Sequence, residues 1–230
     1  MSYTLYIGNK NYSTWSLRGW LLARATGAPF TEKLVSLNAN ENDGAYKEFS
    51  PSGLVPCLVD GDNIVWDSLA IAEYLAERHP GIWPGDSKAR ARARSICAEM
   101  HSGFRALRNE MAMCIRERVD VRPWSPALVR EIDRMTSIWN ETLKRFGAAC
   151  GEGGLLFGKF CAADAFFAPV AFRFRTYGVE PQGEAATYMQ TLLAHPYVRE
   201  WEHAALTETE IVEADEPRVL YRDKIARSAA

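Results

Sequence analysis

Residues 50–75 constrain the fold of this chain more than any other stretch. Pro56 leads the apolar run Cys57-Leu58-Val59, the turn Asp60-Gly61-Asp62-Asn63 follows, and Ile64-Val65-Trp66 answers it. An Asp-Gly pair between two such runs is a strong hairpin signal. A proline heading the first strand sits where a ladder donor can be spared, and X-Pro is the one linkage that becomes cis at modest cost. Val55 then shows its backbone N–H and C=O to whatever lies alongside. Asp67-Ser68 opens a helix carrying Leu69, Ile71, Ala72, Tyr74 and Leu75 at helical spacing. The free N–H groups and the dipole at that helix start favour an anion. One short segment thus offers an extended docking edge and, beside it, a carboxylate-binding helix start.

Upstream, Tyr3-Thr4-Leu5-Tyr6-Ile7 reads as a strand and 8–12 as the loop leaving it. Ser13-Thr14-Trp15-Ser16 opens a helix whose Leu17, Trp20, Leu21 and Ala25 share a face, ending at Gly27-Ala28-Pro29. Residues 30–37 read as a second strand and 43–49 as a short helix. The order βαβα followed by ββα matches a thioredoxin-like α/β domain over residues 1–80. His79-Pro80-Gly81-Ile82-Trp83-Pro84-Gly85 breaks the pattern, so a linker is placed at 81–87. From 88 to 230 the strand signals stop. Ile96, Met100, Phe104, Leu107, Met111 and Ile115 recur at helical intervals, as do Leu128, Ile132, Met135, Trp139, Leu143 and Phe146, which predicts an all-α helical bundle. Lys88, Arg90, Arg92 and Arg94 scatter over more than one helical face, so they read as solvated surface or a dimer contact.

Composition excludes several function classes. A formal net charge of -2 over 230 residues argues against a nucleic-acid footprint. No apolar run reaches the length of a membrane span and the N-terminus lacks a secretory pattern, so a cytoplasmic protein is expected. Five cysteines and four histidines show neither C-x-x-C nor zinc spacing, which suits a reducing compartment and predicts no metal site.

Val55-Pro56 with Asp67-Ser68, and Ser68-Leu69-Ala70-Ile71 before Glu73-Tyr74-Leu75, resemble the glutathione-binding half of the glutathione transferase family, nearest to its zeta (maleylacetoacetate isomerase) branch. Gly158 to Asp164 resembles that family's helix-capping box, with Cys161 in the place of the capping hydroxyl, and His195-Pro196-Tyr197-Val198 with Trp201 is similar to its late helical segment. The resemblance covers nearly the whole chain. It implies glutathione as cosubstrate, Val55 and Pro56 as the docking edge, Ser68 on the γ-glutamyl carboxylate and Asp67 near the ammonium. It further implies a cytoplasmic, detoxifying homodimer acting on a small hydrophobic electrophile, with Met100, Phe104, Arg108 and Met111 as candidate wall residues whose commoner role is core packing. Glutathione-dependent cis–trans isomerisation and non-catalytic ligand binding are the alternatives.

The sulfur-activating residue is where the chain departs from the zeta pattern Ser-Ser-Cys-Ser-Trp, which falls on Asn11, Tyr12, Ser13, Thr14 and Trp15. Ser13 is the favoured catalytic residue, because a hydroxyl at a helix start donates to a thiolate that the dipole also favours. Asn11 through its amide and Tyr6 at the end of the first strand are the other candidates. Gly53 stands where zeta-like sequences carry a lysine for the glycine end of the tripeptide, which leaves Lys10 or Lys47 to substitute. The tail, 213–230, either folds back over the site or stays loose.

Overall fold

The computed structural model describes residues 3–39, 44–147 and 153–228. Strands β1 (Tyr3–Ile7), β2 (Phe30–Leu34), β3 (Cys57–Asp60) and β4 (Asn63–Trp66) form one sheet in the order β2-β1-β3-β4. β1 and β2 are parallel, as a crossover through helix α1 (Thr14–Ala25) requires, and the other two pairings are antiparallel. Asp60 pairs with Asn63 across the two-residue loop Gly61-Asp62, in which Gly61 takes a φ of 58°. Tyr3, Leu5 and Ile7 alternate inward and pack with Leu17 and Leu21 of α1 and with Ile71 and Leu75 of α2 (Ser68–Ala76).

Two predicted elements are shorter than their patterns. β2 stops at Leu34 instead of running to 37, because the chain turns helical at Leu37, whose N–H donates to the Asn9 side chain (2.8 Å). The helix expected at 43–49 is a 3-10 turn, Ala45–Glu48, entered through Gly44 at φ 65°; Asp43 lies outside the described residues.

The second unit is helical: α3 (Ser87–Ser102), α4 (Arg105–Glu110), α5 (Pro126–Phe146), α6 (Ala162–Thr176), α7 (Glu184–Ala194), α8 (Pro196–Thr207), α9 (Pro217–Leu220) and α10 (Arg222–Ser228). α6 is buried along almost its entire length and packs against both α1 and α3. The apolar stripe from 96 to 115 does not belong to one helix. α3 ends at Gly103, Phe104 adopts the left-handed conformation (φ 59°, ψ 50°), and Arg108 turns back to bond the carbonyls of Met100, His101 and Gly103. Those free helix-end carbonyls find their donor in an arginine one turn into the next helix. Arg92 pairs with Glu141 and Arg94 with Glu73, while Arg90 bonds the Pro84 and Gly85 carbonyls, so the basic stretch ties α3 to its neighbours.

Asp164 makes its half of the capping box on α6, accepting from Cys161 N (3.0 Å), and it also accepts from Tyr188 Oη (3.2 Å). The Cys161 sulfur faces the backbone N–H of Asp164, a weak partner where a hydroxyl would be stronger. Complete burial pushes the Asp164 carboxyl up to about 6, above the ordinary carboxylate value, against the pull of these donors. The folded state therefore holds a proton that the unfolded chain has released between about pH 4 and 6. This contribution is full below that window and lost as pH rises through it, at about 1.4 kcal/mol for each pH unit in which the two states differ by a whole proton. Urea denaturation across this range should show that slope in the wild type and a flatter profile in Asp164→Asn.

The last third of the chain folds back on the first loop. Glu208 accepts from the backbone N–H of Lys10 (2.7 Å) and Asn11 (3.0 Å). Glu210 bonds Asn9, Ser36 and Asn38, Glu216 accepts from the Tyr12 hydroxyl, and Trp201 donates to the Lys10 carbonyl. Arg116 completes the clasp on Tyr12 and on the carbonyls of Glu208 and Glu210. Residues 208–216 cover the loop that leads into α1; of the tail from 213, Glu216 bonds Tyr12, Arg218 pairs with Glu117 and Tyr221 donates to the Glu110 carbonyl, and none of the three lines the cavity described below.

Candidate binding and active site

The Val55-Pro56 peptide bond is cis and immediately precedes β3, and Pro56 lies close against α1. Closeness is enforced by Gly19: a Cβ there would sit 2.8 Å from the Pro56 ring carbons, so a glycine is what lets α1 lie against this turn. On the other side, Asp67 occupies the N-cap of α2 with φ 73°, its Oδ1 accepting from Leu69 N at 2.8 Å. Ser68 follows as the first residue of the helix.

Four of the predicted residues, Val55, Pro56, Asp67 and Ser68, line one cavity of about 450 Å³. Ser52, Leu54 and Trp66 complete its outer wall, and Trp15 on the first turn of α1 forms its inner wall. Ser68 is 1% exposed, and its Oγ is buried without a hydrogen-bond partner. A buried hydroxyl normally finds a partner within the fold. Next to it are the free N–H groups of α2, so this end of the cavity is built for an anion.

Ser13 caps α1 but is not on the cavity wall. Its hydroxyl donates to Ser16 Oγ (2.8 Å) and accepts weakly from Ser16 N (3.4 Å), while Ser16 Oγ accepts in turn from Gly8 N. The other two sulfur-activating candidates are engaged elsewhere. Asn11 is fully buried, its amide donating to Cys114 Sγ (3.3 Å) and accepting from Arg116 N (3.1 Å). Tyr6 stacks on Phe49 with ring centres 4.0 Å apart.

Lys10 pairs with Glu32 at 2.8 Å and lies over Trp20 and Trp201, so it is spent on the fold. Lys47 is exposed, and its stem runs past Gly53, where a Cβ would stand 3.4 Å from Lys47 Cγ. The position that lacks its own lysine is therefore flanked by another.

From the helical unit, His101 reaches the site: its Nε2 lies 3.2 Å from Asp67 Oδ2 and its ring packs edge-on to Trp15. Burial, followed by the nearby Arg18 and Arg108, holds its pKa below the ordinary histidine value against the pull of Asp67. It is neutral at pH 7. Met100 and Met111 are core residues and Phe104 is buried at the α3–α4 junction; of the four candidate wall residues Arg108 comes closest, its guanidinium 4.6 Å from the Trp15 ring centre.

Arg18 is wholly buried and none of its three guanidinium nitrogens has a hydrogen-bond partner. It lies between the rings of Trp15 (4.5 Å) and Phe166 (4.9 Å). Two desolvated cation–π contacts are worth about 2 kcal/mol each, set against several kcal/mol for taking an ion out of water. Burial, then Arg108 and Arg173, pushes its pKa well down. A guanidinium nonetheless keeps its proton in proteins, so the wall behind Trp15 carries a positive charge with no hydrogen-bonded counter-ion. Trp15, Arg18 and His101 were not singled out by sequence. The only hint was local, an arginine three residues after a tryptophan on one helix face. His101 arrives from another unit, which no spacing announces.

Among the described residues no group of three or more His, Cys, Asp or Glu side chains is arranged to hold a metal ion, and no helix is long and apolar enough to cross a membrane.

Comparison with known proteins gives the same architecture. Residues 12–78 match the model for the glutathione S-transferase N-terminal domain, and residues 122–204 match that for its C-terminal domain. A probable maleylacetoacetate isomerase of Caenorhabditis elegans is 34% identical over 107 residues, which is 46% of this chain and 49% of that protein. The match thus spans about half of that relative's length. Among solved structures, a glutathione transferase homolog from Burkholderia gl BGR1 with bound glutathione superposes with a TM-score of 0.66 at 22% identity, covering 90% of this chain and 99% of the other. A maleylacetoacetate isomerase from Anaeromyxobacter dehalogenans 2CP-1, with bound GSH in its active site, superposes at 0.62 and 22% identity, covering 87% and 94%.

Proposed function

We propose, from the premise that this chain belongs to the glutathione S-transferase family, that it is an enzyme that binds glutathione in the cavity between Trp15, the Val55-Pro56 edge and the start of α2. There the bound thiol ionises at the N-terminus of α1 and its thiolate adds to an electrophilic carbon of a small hydrophobic cosubstrate. The observation that carries this reading is the buried, unpartnered Ser68 Oγ beside the free N–H groups of α2. Ser68 takes the γ-glutamyl carboxylate of glutathione, Asp67 takes its ammonium, and the exposed backbone of Val55 pairs with the cysteinyl residue. Lys47 lies where it meets the glycine carboxylate. Ser13 is the side-chain donor for the sulfur, by turning its hydroxyl away from Ser16.

The proposed setting is a cytoplasmic homodimer in the detoxification of electrophiles. A second reading, glutathione-dependent cis–trans isomerisation, is favoured by the likeness to the nematode protein and opposed by the missing Ser-Ser-Cys pattern at 11–13.

The test is calorimetry with reduced glutathione, together with ultraviolet difference absorbance in the thiolate band. Binding with a thiolate signal at pH 7 is expected. Ser13→Ala should keep the binding and lose about 10- to 100-fold in turnover of an aryl halide, the order of effect of losing one hydrogen bond to a charged group, about 1.5–3 kcal/mol. No heat at millimolar glutathione would overturn the reading, and binding with no turnover of any electrophile would leave a ligand-binding protein.

A further inference from the structure

Provided that glutathione is the ligand of this cavity, as proposed above, the source of the charge that ionises its thiol is open, because the Ser13 hydroxyl is neutral and already bonded to Ser16. We propose that the charge comes from Arg18, acting from behind the Trp15 indole with Arg108 as its second cation. Arg18 is an electrostatic positioning residue: it touches neither ligand nor solvent, and it stabilises the thiolate through its field.

Three observations carry this. The Arg18 guanidinium is completely buried and has no hydrogen-bond partner, an arrangement that folds otherwise avoid. It packs on the same indole that forms the inner wall of the cavity, as does Arg108. The charged and titratable groups around it do not neutralise it. Arg108 comes from α4 and Arg173 from α6, both cationic; Cys97 on α3 is a thiol whose own pKa burial raises, and His101 on α3 is neutral at pH 7. Asp67, at the N-cap of α2, is the one anion among them, set against the three cations Arg18, Arg108 and Arg173. A cation held in a low-dielectric wall exerts a field that water screens poorly, so a ligand thiol ionising on the cavity side gains more from it than from an exposed lysine. The S–H bond releases its proton to solvent, and the thiolate is the counter-ion that the fold itself does not supply.

A structural arginine and a field-supplying one make opposite predictions. Replacing an unpaired buried charge by an apolar side chain of similar length relieves the fold. Arg18→Met should therefore melt at the wild-type temperature or above it, bind glutathione, and show a bound-thiol pKa raised by one pH unit or more, read from the thiolate band between pH 5 and 9. At pH 7 each unit of that rise is up to a tenfold loss of thiolate. Arg18→Lys, which keeps a charge, should recover part of the shift. Arg108→Met, at a half-buried site, should give a smaller rise in the same direction, and it serves where Arg18→Met fails to fold. A bound-thiol pKa unchanged in both Met variants, with binding intact, overturns the inference alone. Absence of glutathione binding to the wild type removes the underlying reading with it.

Discussion

Ser68→Ala is expected to weaken glutathione binding by roughly 10- to 100-fold and to leave thermal stability unchanged or slightly improved. A hydrogen bond to a charged group contributes about 1.5–3 kcal/mol, and 1.4 kcal/mol is a factor of ten in affinity. In the free protein the Ser68 Oγ bonds to nothing, so removing it takes no native interaction away. The two readouts separate a ligand contact from a helix cap, since a lost cap costs about 1 kcal/mol of stability. The cap here is Asp67, whose Oδ1 holds Leu69 N. Calorimetry paired with a thermal melt checks both; equal affinity for wild type and variant would remove Ser68 from the site.

The second large effect is on stability. Glu208→Ala strands the backbone N–H groups of Lys10 and Asn11, both in buried positions. Each unsatisfied buried donor costs about 1–3 kcal/mol, so a loss on the order of 2–5 kcal/mol is expected in urea denaturation. Desolvation holds the Glu208 carboxyl above its ordinary pKa in spite of its two donors. The ion is therefore not comfortable where it is. Taking away one side of a buried interaction still costs more than the interaction contributes, because the partners are left without water. A drop below about 1 kcal/mol would mean that water reaches the 9–12 loop and that the clasp is loose.

What could be foreseen in this chain was local. The hairpin announced itself because Asp60-Gly61 is turn chemistry, and α2 because Asp67 is cap chemistry; both act within four residues. From these the cavity's Val55, Pro56, Asp67 and Ser68 followed together. The errors came where a distant group decided. β2 ended early because the chain turns helical at Leu37, whose N–H is taken by Asn9, more than twenty residues upstream. The stripe from 96 to 115 kept its helical period straight across a break, since Met100 and Leu107 are buried on either side of it and burial gives no sign that Phe104 is left-handed. Arg18 and His101 meet at Trp15 only because α6 brings two units together. Periodicity reports which face is covered, and says nothing of what covers it.

The clasp of residues 208–216 on the 9–12 loop joins segments about 200 residues apart. On the ribosome the sheet and α2 emerge well before residue 208, and domains condense in order of emergence. The contacts that seat the approach to α1 have among the longest separations in the molecule, and such contacts form late. A nascent chain halted short of residue 208 thus carries a complete docking edge beside an unseated helix start. Competence at this site thus waits on residues 208–216, synthesised long after the residues that line it.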